Sequence, residues 1–156
     1  MTTLQKQSFT FDIDLYLKDA GLIAADENAT QVDGSDAIID LGEGRMNGTL
    51  VVNATAVEVA TGDEVYQVCM HFSNSSTHAS GVVAGPVFFL GDAAGIAAIL
   101  DAPTVPCDTD NGVGRYELPF TNVYAGISYR YLLISVEVSG TIATGVNFTA
   151  YVSKDN

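Results

Sequence analysis

The 156-residue chain carries 19 acidic and six basic residues, a formal net charge of −13, and is 47% hydrophobic. That length and composition predict one domain with an apolar core and exclude a disordered chain. The six basic residues (Lys6, Lys18, Arg45, Arg115, Arg130, Lys154) stand singly and form no phosphate-binding stripe, so nucleic acid and anionic membranes are not expected as partners.

Along the chain, the first element is a strand. Phe9, Phe11, Ile13, Leu15 and Leu17 alternate with Thr10, Asp12, Asp14 and Tyr16, the period of a half-buried strand. Residues 20–36 follow neither the helical nor the strand period. The expected organisation is therefore an N-terminal strand or arm over residues 1–36 and a β-sandwich over residues 37–156. A lone strand must pair somewhere, since its open N–H and C=O groups template aggregation. The strand of Phe9, Phe11, Ile13, Leu15 and Leu17 has its own sandwich, a sister subunit or another protein to pair with, and contact with a sister subunit or another protein is expected over the first.

β-Branched runs predict strands at 37–41, 50–59 and 82–90, and Tyr66, Val68, Met70 and Phe72 alternate on another. The segment from Val82 to Leu100 carries one charge, Asp92, but its glycines and Pro86 predict a strand, a turn and a short helix rather than a membrane span. The helix should cover 92–100 with Asp92 as its cap, although Gly95 weakens it. Tyr116, Leu118 and Phe120 then alternate around Pro119, which predicts a sheet edge. Leu132 to Val138 and Val146 to Val152 complete the series. Turn residues at Asp33-Gly34, Asn47-Gly48, Thr61-Gly62-Asp63, Asn111-Gly112 and Ser139-Gly140 separate these runs. Seven or eight strands and at most one short helix predict an all-β fold, a β-sandwich of jelly-roll type.

Signs of catalysis are sparse. The chain has no glycine-rich nucleotide loop and no G-x-S-x-G elbow. His71 on a strand and His78 in a Ser/Thr loop are the two candidate bases, with no spacing that singles out a serine. Cys69, Cys107, His71 and His78 could supply four zinc ligands in number but lack zinc-site spacing. Two cysteines allow one disulfide, and the sequence leaves its formation open. The acidic loop 108–112 begins like a calcium loop, but its glycine falls one position early. No enzyme activity, metal or cofactor is expected. The first residues lack the charged and apolar regions of a signal peptide, so a cytoplasmic site of synthesis is expected.

The last forty residues carry a resemblance. Arg115-Tyr116-Glu117-Leu118-Pro119-Phe120, Tyr129-Arg130-Tyr131-Leu132-Leu133-Ile134, Ser139-Gly140-Thr141-Ile142-Ala143-Thr144-Gly145 and Asn147-Phe148-Thr149-Ala150-Tyr151 resemble segments of the capsid cement, or decoration, proteins of tailed bacteriophages. Ile38-Ile39-Asp40-Leu41-Gly42 resembles a further shared element. The resemblance implies a β-sandwich subunit that assembles as a homotrimer on the outer surface of the phage head. There it would bridge subunits of the major capsid protein and stabilise the shell. The competing expectation is an adhesive or carbohydrate-binding sandwich of the head-fibre kind, with Tyr124, Tyr129 and Tyr131 as its candidate aromatics.

Overall fold

The computed structural model describes residues 15–19, 21–100 and 111–154. The elements are β1 (Tyr16–Lys18), β2 (Leu22–Ile23), β3 (Glu27–Asn28), β4 (Ile39–Asp40), β5 (Asn47–Val57), β6 (Val65–Ser73), β7 (Val83–Gly91), α1 (Ala93–Leu100), β8 (Gly114–Thr121), β9 (Val123–Tyr124), β10 (Ile127–Ser128), β11 (Tyr131–Ser139) and β12 (Val146–Lys154). One antiparallel sheet runs β1-β12-β5-β8, with β2 also on β12. The facing sheet runs β3-β11-β6-β7, with β4 also on β11, and β9 and β10 make a small hairpin.

The pairing is nested. β6 pairs with its neighbour β7, then β5 with β8, then β3 and β4 with β11, and finally β1 with β12. Successive pairs alternate between the two sheets. A long hairpin rolled over on itself gives this order, which is that of a jelly roll. The expected all-β sandwich is thus the observed fold.

Alternation decides which side chains meet between the sheets. Leu50, Val52 and Ala54 on β5 and Val146, Phe148, Ala150 and Val152 on β12 face Tyr66, Val68, Met70 and Phe72 on β6 and Leu132, Ile134 and Val136 on β11. Each large side chain removed from water here contributes about 1.5–3 kcal/mol. Pro119 lies on β8, an outer strand among the described residues, where a missing N–H breaks no ladder. Asp92 caps α1 as expected, its Oδ1 accepting from the N–H groups of Ala94 and Gly95 at 2.9 Å each. Gly95 has a packing reason, because a Cβ there would meet Val65 Cγ2 at 2.8 Å. No helix among the described residues is long and apolar enough to cross a membrane.

Three expectations need correction. Leu15 and Leu17 are 5% and 0% exposed and belong to the chain's own core, so neither is free to contact a partner. Residues 21–36 of the expected arm are not separate from the sandwich. β2 pairs with β12 and β3 with β11, and two-residue strands are too short to leave a period in the sequence. Asn47-Gly48 is not a turn but the start of β5. The glycine there serves close packing, since a Cβ would meet Met46 Cε at 2.7 Å and the Ser153 carbonyl at 2.9 Å.

Candidate functional site

Of the five expected contact residues, Phe9, Phe11 and Ile13 lie outside the described residues. The described end of that segment is held by Lys18, which is 4% exposed. Its ammonium donates to the carbonyls of Asp19, Gly21 and Phe148 at 2.8, 3.0 and 3.2 Å and lies 4.8 Å from the Phe148 ring centroid. Burial lowers its pKa, with Glu27 and Asp19 pulling the other way. Lys18 therefore rivets β1 to β12. One lysine among scattered basic residues gave no sign of this, because the acceptors are backbone carbonyls that no sequence pattern marks.

The two candidate bases occupy the outward side of the sheet formed by β3, β11, β6 and β7. Even-numbered β6 residues point into the core, which turns Gln67, Cys69, His71 and Ser73 outward. His71 Nε2 lies 2.8 Å from Ser135 Oγ, on the neighbouring strand β11. This joins a serine to an imidazole, as a nucleophile and base require, and no third group that would orient the imidazole is placed beside the pair among the described residues. Ser135 stands mid-strand with Cys69 opposite on one side and Asn28 on the other, so no turn presents N–H groups to an oxyanion. Burial depresses the His71 pKa, more strongly than nearby Glu137 raises it. Burial also raises the Cys69 thiol, which keeps it protonated, and its sulfur is 3.3 Å from Gln67 Nε2. Among the described residues no three His, Cys, Asp or Glu side chains converge as metal ligands. Cys107 and residues 108–110 of the acidic loop lie outside the described residues, and Asn111 bridges to Gly91.

The aromatic residues turn inward. Tyr124 lies 5.3 Å from Phe72 and 6.3 Å from Tyr129 between ring centroids, and Phe72 lies 5.7 Å from Phe120. The β9–β10 turn holds Tyr124 there with positive φ at both Ala125 (49°) and Gly126 (79°). A Cβ on Gly85 would strike Phe72 at 2.4 Å, so β7 needs a glycine to pass the cluster. Tyr129 and Tyr131 do not share a face. Tyr129 precedes β11 and packs on the core, while Tyr131 lies beside Arg130, whose guanidinium is 5.4 Å from its ring centroid.

The segments that carry the resemblance fall together in the fold. Ile39 and Asp40 pair in register with Leu132 and Tyr131. Arg130 donates to both carboxylate oxygens of Asp40 at 2.6–3.0 Å, and with a Gly42 N–H this holds the Asp40 pKa at about 2. The turn from Ser139 to Gly145 is clamped by two carboxylates. Asp63 accepts from the Thr141 N–H and hydroxyl at 3.0 Å each. Glu58 accepts from the N–H groups of Ala143, Thr144 and Gly145, which lower its pKa, Gly145 foremost. Gly140 and Gly145 have φ of 96° and 97°, and a Cβ on either would lie 2.1 Å from a carbonyl oxygen, of Asp63 or Ile23. Glu64 is wholly buried beside this clamp. Burial raises its pKa, but backbone N–H groups led by Thr61 outweigh it and hold the carboxyl at about 2. These motif residues build the frame. The sequence matches no protein-family model and no curated protein.

Proposed function

We propose that the protein is a structural component of a phage head, a jelly-roll subunit that binds the outside of the capsid shell as a homotrimer and bridges major capsid protein subunits. The observation that carries this reading is the convergence of the resembling segments. Ile38–Gly42 and Tyr129–Ile134 lie far apart in the chain yet are joined by strand pairing and the Asp40–Arg130 ion pair. A resemblance spread by chance over the chain has no reason to meet in this way. The adhesive reading is less well supported, because Tyr124 and Tyr129 are spent on core packing rather than offered to a sugar ring.

Such a protein acts through binding free energy alone. A trimer that engages several shell subunits at once converts later contacts into intramolecular ones, so modest individual interfaces hold durably. The test is to mix the purified protein with heads stripped of decoration and image them. Regular symmetric density on the outer shell, with a higher disruption temperature, is the expected result. Bare shells at saturating protein would reject the reading. Light scattering should give a mass above the 16.4 kDa of one chain.

A further inference from the structure

The loop between β6 and β7 is fastened at several points, and one of its buried side chains is not. Ser73 Oγ donates to the Ser80 carbonyl at 2.8 Å and accepts from the Ser75 N–H at 2.9 Å. Asn74 donates to the Ser128 carbonyl and accepts from the Arg130 N–H. His78 closes a turn by donating its N–H to the Ser75 carbonyl at 3.0 Å, in the left-handed region at φ 53°. That conformation is uncommon outside glycine and marks a position held by its surroundings. Both ring nitrogens of His78 are shut off from solvent, and neither makes a well-formed hydrogen bond, the Tyr131 carbonyl nearby lying outside good geometry. A native structure rarely leaves buried polar atoms so, and a second imidazole, His71, is near enough for its charge to act on this one.

We propose that residues 73–82 form a proton-operated latch, closed while His78 is neutral and released when its imidazole takes up a proton. A neutral ring tolerates burial at His78, whereas an imidazolium there needs more than the closed state offers, since the Tyr131 carbonyl and Asp36 do not outweigh burial and the charge of His71. The charged groups acting on the pair are Glu137 on β11 and Asp36 ahead of β4, together with the Tyr131 carbonyl. Burial lowers both imidazoles below their ordinary 6.5. At His78 the repulsion of His71 adds to it, and the Tyr131 carbonyl and Asp36 offset only part. A base with a lowered folded-state pKa favours the closed loop above its ordinary value. That preference is lost as pH falls through the ordinary value toward the lowered one.

Amide hydrogen exchange of the full chain, corrected for intrinsic rates, tests the latch between about pH 7.5 and 5. Protection at Ser75 and His78 should fall about tenfold per pH unit below the transition, the slope for release coupled to one proton. Ladder amides of β6 and β11 should keep their protection. Protection of the loop that is constant across this range overturns the proposal. His78→Gly keeps the backbone conformation and removes the imidazole, so its loop should stay closed at acidic pH. If that variant is loose at every pH, His71→Gln decides. It removes the neighbouring charge, so the transition must move to higher pH, and an unmoved midpoint overturns the latch.

Discussion

The turn joining β11 to β12 and the loop joining β6 to β7 close opposite ends of one sheet, the first beyond the Ser139–Val65 pair and the second beyond Ser73–Tyr131. Ionised carboxylates fasten the first. Glu58 and Asp63 accept from consecutive backbone N–H groups, and glycines at Gly140 and Gly145 let neighbouring carbonyls come close. Short hydroxyl bonds fasten the second around the buried His78 imidazole, and its Gly81 has open space around it. Both ends are ordered, but the first depends on charge already solvated by the backbone, whereas at the second, beside the Asp40–Arg130 ion pair, the loop depends on charge being absent at His78. An acidic protein can therefore carry two closures that respond to protons in separate pH windows.

Substitution at the carboxylate-held end should do the most damage. Gly145→Ala or Gly140→Ala combines an unfavourable φ with a backbone clash, and we expect losses of about 3 kcal/mol or more, or failure to fold, by urea denaturation. Acid should act next. The pKa values of Glu58, Glu64 and Asp40 are lowered in the folded state, to about 2 for the last two. Their stabilisation is complete above the ordinary value, 4.5 for Glu and 3.8 for Asp, and is lost as pH falls toward about 2. The melting temperature should thus drop steeply only below about pH 4.5, well after the loop at the other end has opened. Simultaneous loss of both closures in one titration would merge the two ends into a single unit. Lys18→Met should cost about 1–3 kcal/mol by leaving three carbonyls without their donor, and it should leave both closures unchanged. Gly81→Ala, strained only by its φ of 61°, should cost about 1 kcal/mol.

The long strands were legible because each presents one side to the core and one outward. Tyr66 to Phe72, Leu132 to Val138 and Val146 to Val152 show that alternation plainly. Pro119 and Asp92 were legible for local reasons, a missing donor and a capping carboxylate. What escaped is non-local. β2 and β3 are two residues each and exist because β12 and β11 hold them, so their own residues carry no period. Asn47-Gly48 carries strong turn chemistry, yet the glycine answers to Met46 and Ser153 packing against it. At the histidine site, the outward placement of His71 followed from alternation. Its Ser135 partner depended on strand register, which neither strand specifies alone. The clamp of Glu58 on Gly145 spans 87 residues and leaves no local mark.

The nested pairing also sets the order in which the molecule can form. β6 and β7 are consecutive, so their hairpin closes a short loop and can form early. Each further pair encloses the one before it, and β1 reaches β12 only across almost the whole chain, with the Lys18–Phe148 bond linking residues 130 apart. Contacts this distant place the chain among slow folders, with times of milliseconds to seconds. Until that last pair forms, β12 presents an open edge to any other chain nearby, which makes the late intermediate the species most prone to join a second copy.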